Sequence, residues 1–143
     1  MAHIRDILKS KKAGVISITP DTIVYHALER MVEENISALP VTVGENLVGI
    51  FTEKDYARKV ILKGKSSKKA AIQEIMTPNP FTISPDTTID ECMRLMTDKR
   101  VRHLPVMEKE KLIGIISIGD VVKFIIDEQK HIIESLEHYI TGR

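Results

Sequence analysis

Gly49-Ile50-Phe51-Thr52-Glu53-Lys54-Asp55 and, 65 residues later, Gly114-Ile115-Ile116-Ser117-Ile118-Gly119-Asp120 share one pattern: glycine, two apolar residues, a hydroxyl residue, two free positions and aspartate. Each stretch closes an apolar, strand-like run and opens a helix-like one. Such a junction brings a close backbone approach, a hydroxyl and a carboxylate to one edge of a sheet. Two roles are open to the hydroxyl and carboxylate. They can cap the helix that follows, or they can hold a sugar diol.

The two junctions belong to a longer duplication. With the same offset, Val15–Ile61 lies on Pro80–Ile126 without a gap. Ile18-Thr19-Pro20-Asp21-Thr22 meets Ile83-Ser84-Pro85-Asp86-Thr87, and Leu39-Pro40-Val41 meets Leu104-Pro105-Val106. Leu47-Val48-Gly49-Ile50 meets Leu112-Ile113-Gly114-Ile115. An internal repeat of this length sets the architecture before any single element does. Each half alone would bury only a thin core.

Within each unit the hydrophobic period changes in a fixed order. Val15–Ile18 reads as a short strand, followed by the turn Pro20-Asp21-Thr22, whose Asp or Thr can cap a helix. Val24, Ala27, Leu28 and Met31 then share one helix face over about 23–35, as do Ile89, Cys92, Met93 and Met96 in the second unit. Thr87 and Asp90 fit the spacing of a capping box. Leu39–Val43 and Leu47–Phe51 form a hairpin around Gly44-Glu45-Asn46. Leu104–Met107 and Leu112–Ser117 repeat it around the charged tip Glu108–Lys111, with a different turn expected where Lys109 replaces Gly44. A helix follows each aspartate. The unit is β-α-β-β-α, and the class is α/β (α+β).

Four segments follow: 1–63, repeat 1 with an N-terminal helix carrying Ile4, Ile7 and Leu8; 64–79, a linker and lead-in helix carrying Ile72, Ile75 and Met76; 80–126, repeat 2; and 127–143, a C-terminal helical extension. The linker Lys63–Lys69 reads as a solvated loop, with an anion contact as the alternative. From Asp120 to about Ile140, Val122, Ile125, Gln129, Ile132, Leu136 and Tyr139 follow heptad spacing, widened by Ile126, Ile133 and Ile140. That amphipathic helix is expected to contact a second copy of the chain.

The bulk numbers exclude several classes. Net charge is +1, from 21 basic and 20 acidic residues, without the basic excess typical of nucleic-acid binding. The single cysteine, Cys92, forms no internal disulfide and sits at a core position. No run approaches the ~20 apolar residues of a membrane span, and the first residues lack the apolar core of a signal peptide. A cytoplasmic location is expected. There is no nucleophile elbow, Cys/His pair or glycine-rich phosphate loop, so no catalytic residue is assigned. His3, His26, His131 and His138 are scattered, and no metal site is assigned.

The duplicated unit, the Leu-Pro-Val strand and the Gly-apolar-x-Thr/Ser-x-x-Asp junction resemble a tandem pair of CBS (cystathionine-β-synthase) domains, a Bateman module, over about residues 15–126. The lack of a fused domain resembles stand-alone prokaryotic CBS pairs. The resemblance implies two repeats packed by pseudo-twofold symmetry, sheet against sheet, with two clefts between them. It implies a regulatory, non-catalytic signal-transduction module for an adenosine-containing ligand: AMP, ADP or ATP, with NAD and S-adenosylmethionine as further candidates and no required cofactor. In such modules the aspartate holds both ribose hydroxyls and the Ser/Thr reaches ribose or phosphate. Carried onto this chain, cleft one has Ser117 and Asp120 opposite Ile16, Ser37, Ala38 and Pro40. Cleft two has Thr52 and Asp55 opposite Phe81, Arg102, His103 and Pro105. Arg102 and His103 suit a phosphate, and Lys54 is expected to serve cleft one. The expected partners are the small-molecule ligand and a second copy in a homodimer. The alternative is a ligand-free protein-interaction or weakly RNA-binding dimerisation module.

Overall fold

The structure is a computed structural model that describes residues 1–11 and 14–141. Its helices are α1 (Ile4–Ser10), α2 (Val24–Glu34), α3 (Glu53–Tyr56, continued by a π-helical stretch Ala57–Ile61), α4 (Ile72–Ile75), α5 (Ile89–Lys99) and α6 (Ile118–Thr141). Its strands are β1 (Ala38–Val43), β2 (Asn46–Thr52), β3 (Thr77–Pro78), β4 (His103–Glu108) and β5 (Lys111–Ser117). The two hairpins are superposable in register: Pro40 faces Ile50 and Leu39 faces Phe51, while Pro105 faces Ile115 and Leu104 faces Ile116. Each carries its irregularity at the same place, after Val41 and after Val106. β2 and β5 meet between the units.

The hairpin turns differ, as the tip residues require. Gly44 takes φ +62° in the first. In the second, Lys109 and Glu110 both take positive φ, the geometry of a type I′ turn.

The strand expected at Val15–Ile18 is a single parallel bridge, Ile18 to Val41, matched by Ile83 to Val106. Proline explains the truncation. Ile18 N donates to Pro40 O and Thr42 N donates to Ile18 O. The next rung on one side needs an N–H from Pro40, and on the other an N–H from Pro20, and neither exists. Pro105 and Pro85 impose the same limit on Ile83.

Two other expectations are corrected. The cap of α5 is Thr88 with Glu91, not Thr87 with Asp90: Thr88 Oγ1 accepts from Glu91 N at 3.1 Å. Thr87 instead turns back to accept from Ser84 N. No side chain of the Pro20-Asp21-Thr22 turn caps α2. Linker carbonyls do: Val24 N donates to Ala70 O and Tyr25 N to Ser67 O. Part of the lysine-rich linker therefore satisfies helix donors that otherwise lack partners.

The two cores exchange their lead-in helices. Ile4 and Ile7 of α1 are buried with Ile83, Ile89, Cys92, Met96, Leu104, Val106, Ile116 and Val121 of the second repeat. Ile72 and Ile75 of α4 are buried with Val24, Ala27, Met31, Leu39, Val41 and Phe51 of the first. Backbone bonds follow the same exchange: Ile4 N donates to Thr87 O, and Ile72 N to Thr22 O. Arg5 pairs with Asp86. The chain order groups α1 with residues up to 63, whereas packing places it in the other unit. Cys92 is a core residue, and burial pushes its thiol up to about 11.

Both junction glycines are seats for these lead-ins. A Cβ at Gly114 would meet Leu8 Cδ2 at 2.7 Å. A Cβ at Gly49 would meet Met76 Sδ at 2.5 Å and the Thr77 carbonyl oxygen at 3.1 Å. Backbone cannot swing aside as a leucine tip can. Gly49→Ala is expected to lower unfolding free energy by ~1–3 kcal/mol, and Gly114→Ala by less, with urea denaturation of the two variants as the measurement.

Candidate functional site

At both junctions the carboxylate caps its helix. Asp55 N donates to Thr52 Oγ1 at 3.2 Å, and Thr52 N donates to Asp55 Oδ2 at 3.0 Å. Asp120 N donates to Ser117 Oγ at 3.1 Å, and Ser117 N donates to Asp120 Oδ2 at 2.8 Å. These are reciprocal capping boxes with Asp in the third position. Capping uses one carboxylate oxygen, Oδ2, so what surrounds Oδ1 decides what else each aspartate can do.

Here the two junctions part. Asp55 is buried, at 8% exposure. Its Oδ1 accepts from Thr77 Oγ1 at 3.1 Å and lies 3.2 Å from Lys59 Nζ. Both oxygens are thus engaged, and β3 lies across Gly49 and Ile50 beside them. Asp120 is more open, with 24% of its side chain exposed. Lys11 Nζ lies 2.8 Å from the capping oxygen Oδ2 and also donates to Ile115 O at 2.9 Å. Among the described residues no protein donor takes Oδ1. Burial works against ionisation of Asp120, but the Lys11 ammonium and the Ser117 N–H outweigh it and hold the carboxyl below its ordinary value.

A slot of about 200 Å³ has Lys11, the partner of Asp120, among its lining residues. One wall is Ile113, Gly114 and Ile115 of β5; the other is Val15, Ile16, Ile36 and Ala38 of the first repeat, with Leu8, Lys11 and Gly14 at the lead-in. Past Ser117, a second hollow of about 350 Å³ is lined by Lys54, Arg100, Arg102, Met96, Thr97, Val101 and Ile118. Along the chain of β5, residues 113–115 line the apolar slot, Ser117 makes the cap with Asp120, and Ile118 lines the cationic hollow.

Of the residues expected at cleft one, Ile16 and Ala38 line the slot. Asp120, capped with Ser117, is bonded to Lys11 of the slot, and Pro40 is buried in β1. Lys54 reaches the hollow beside Ile118. In the group expected at cleft two, Thr52 and Asp55 are joined by the cap, and Arg102 lines the hollow with Lys54, the neighbour of Asp55 in sequence. His103 Nε2 lies 3.0 Å from Ser37 Oγ, a residue expected at cleft one. His103 also pairs with Ser117 across β4 and β5, near enough to Asp120 to feel its charge. Phe81 is half-exposed with Lys99 Nζ 5.1 Å from its ring centroid. Pro105 is buried in β4.

Three functional-site residues escape a sequence reading. Lys11, Thr77 and Lys59 contact the two aspartates. Lys59 is four residues past Asp55 on the same helical run, a spacing that marks it. Lys11 and Thr77 come from lead-ins distant in sequence, and only the exchange of lead-ins brings them in. Among the described residues no group of three or more His, Cys, Asp or Glu is placed to hold a metal, and no helix is long and apolar enough to cross a membrane.

A family model for the CBS domain matches twice, over residues 3–62 and 72–127. The chain belongs to the CBS-domain family. This CBS pair is 40% identical over 148 aligned positions to the CBS domain-containing protein CBSX3, mitochondrial, of Arabidopsis thaliana, covering 97% of this chain and 72% of that protein. A CBS-domain protein from Burkholderia ambifaria MC40-6 has a similar structure, with TM-score 0.86, 46% identity, and coverage of 90% of this chain and 96% of the other. CBSX2, solved in complex with AMP, superposes with TM-score 0.75 at 25% identity, covering 89% of this chain and 98% of that one.

His103 gives the site a pH signature. Burial disfavours its charged form, and Lys11 and Arg102 add to this, while Asp120 opposes; the net effect holds the imidazole below its ordinary value. Below the unfolded value near 6.5 the unfolded chain binds more protons at this residue than the folded chain. Its contribution to stability is thus complete above about pH 6.5 and declines as the pH falls from there. His103→Gln is expected to flatten the loss of unfolding free energy between about pH 7 and 5, measured as the wild-type-minus-variant difference in urea titrations.

Proposed function

We propose that this CBS pair is a non-catalytic regulatory module that takes an adenosine-containing ligand in cleft one. AMP, ADP and ATP lead the candidates, with NAD and S-adenosylmethionine behind them. One observation carries the reading: Lys11 joins the apolar slot to Asp120, whose Oδ1 takes no protein donor among the described residues. A flat base fits the slot between Ile16 and Gly114. A vicinal diol fits Oδ1 of Asp120, and an anionic group fits Lys54, Arg100 and Arg102. The AMP complex of CBSX2 supports the class of ligand.

In this reading Asp55 has a different task. Its Oδ1 staples the lead-in of the second repeat through Thr77, so cleft two is occupied by the protein's own groups. Binding acts by population shift: a ligand touching both repeats favours the arrangement that brings the slot walls together, by as much as its affinities for two arrangements differ.

The reading includes a homodimer. Val121, Phe124 and Ile125 of α6 pack on the second core, so Ile125 is withdrawn from the expected seam. Val122, Ile126, Ile133, Leu136 and Ile140 remain exposed as a stripe, flanked by Ile132 and Tyr139. We assign this stripe to a second copy of the chain. Its size is also what a ligand-free dimerisation module would show, and ligand binding separates the two readings.

Isothermal titration with AMP is expected to give one site per chain, lost in Asp120→Ala. Asp55→Ala is expected to lower the ligand-free melting temperature while keeping the site. A stoichiometry of two, or binding that survives Asp120→Ala, would overturn the assignment of cleft one. For the dimer, Ile133→Glu with Leu136→Glu is expected to turn a dimer into a monomer in sedimentation velocity without loss of AMP binding.

A further inference from the structure

We propose that Lys11 makes cleft one selective for adenosine ligands that carry phosphate, by serving as the counter-ion of Asp120 until such a ligand arrives. This inference rests on the adenosine reading of cleft one and narrows it.

The position of Lys11 is built, not incidental. Leu8 and Met76 are equivalent seats, since each packs on the junction glycine of the opposite repeat. From Met76 to Phe81 the chain has five steps (81 − 76), whereas from Leu8 to the equivalent Ile16 it has eight (16 − 8). The longer lead-in of repeat 1 contains Lys11, which at the end of α1 reaches two acceptors of repeat 2, Asp120 Oδ2 and Ile115 O. In cleft two the shorter lead-in offers the neutral hydroxyl of Thr77, and the cation at Asp55 comes from its own repeat, as Lys59.

The charges around Lys11 give it a discriminating role. The pair is largely withdrawn from water, with side-chain exposures of 35% for Lys11 and 24% for Asp120. Arg102 and Lys11 are both near enough to His103 to oppose its charging, and Asp120 is the carboxylate that favours it. A neutral nucleoside that takes up the carboxylate weakens its bond to the ammonium and returns no charge, which is costly for a partly desolvated cation. A sulfonium ligand brings a further positive charge to a site that already holds Lys11 and Arg102. A phosphate compensates Lys11 directly with a charge-assisted hydrogen bond. The ammonium therefore raises affinity for a phosphorylated ligand and lowers it for neutral or cationic relatives with the same base and ribose.

The test is titration calorimetry of the full chain with AMP, adenosine and S-adenosylmethionine, for wild type, Lys11→Met and Lys11→Arg. In the wild type AMP is expected to bind on the order of tenfold or more tighter than adenosine, the scale of one charge-assisted contact. S-adenosylmethionine is expected to bind no better than adenosine. In Lys11→Met the AMP preference should fall to within about threefold, with adenosine unchanged or improved. Lys11→Arg should keep the preference, which a purely structural role would not require. Equal wild-type affinities for AMP and adenosine, or parallel loss of both in Lys11→Met, would overturn the role of Lys11 and leave the adenosine site standing. Absence of binding by all three ligands to the wild type would overturn the adenosine reading, and this inference with it. Melting curves without ligand show whether each variant is folded.

Discussion

The exchange of lead-in helices is the constraint on which the rest depends. Neither repeat buries a full core from its own contiguous residues. Ile4 and Ile7 complete the second core, and Ile72 and Ile75 the first. The repeats are therefore joined by two crossing helices as well as by the contact of β2 with β5. A small β-α-β-β-α unit has little apolar surface to bury alone, and the exchange removes that limit. It also explains the junction glycines. Met76 and Leu8 must sit on the backbone at Gly49 and Gly114, where a side chain would displace them.

The same exchange makes the two clefts unequal. By duplication each aspartate caps its helix with Oδ2 and has Oδ1 to spare. The neighbour that arrives on the lead-in then differs. Thr77 reaches Oδ1 of Asp55 and, with Lys59, uses it up. Lys11 reaches Oδ2 of Asp120, already engaged by the cap, and among the described residues no protein donor takes Oδ1. A three-residue difference in lead-in length separates these outcomes. In this chain the two sites diverge through the segments that enter them and through Lys59, which repeat 2 replaces with Phe124.

Much of this was legible in the sequence. The 65-residue offset, the hairpins around Gly44 and Lys109, the helices and both capping-box junctions all follow from short-range patterns that recur twice. The expectation of Ile16 and Ala38 beside Asp120 came from the family resemblance, and both line the slot that Lys11 also lines. What failed was of longer range. Val15–Ile18 has the alternation of a strand, but proline in the facing strand and proline after it remove the donors a ladder needs, a fact visible only once Ile18 is known to face Val41. Thr87 and Asp90 have capping spacing, but the turn at Ser84 captures Thr87 first. Arg102 and His103 look like equivalents of Ser37 and Ala38 in the opposite cleft. In the structure the two segments meet, so that His103 touches Ser37, a contact that the repeat alone does not reveal. Lys11 carried no local signal at all.

The placement of α6 ties the site to the surface beyond it. Ser117 and Asp120 form its first turn, so the carboxylate proposed to hold a ribose is the one that caps this helix. Two demands on one carboxylate are compatible because they use different oxygens, but they are not independent. A ligand on Oδ1 and a lysine and cap on Oδ2 all depend on the ionised form, and each shifts the charge that the others meet. From that turn the helix runs on past the second core, where Val121, Phe124 and Ile125 anchor it, and its remaining apolar stripe faces outward. A change in how Lys11 and a ligand share Asp120 is therefore felt first at the N-terminus of the element that carries the exposed stripe. On the proposed function, this is the shortest physical route from cleft one to a second copy of the chain. It runs through one helix cap and needs no movement of the exchanged cores.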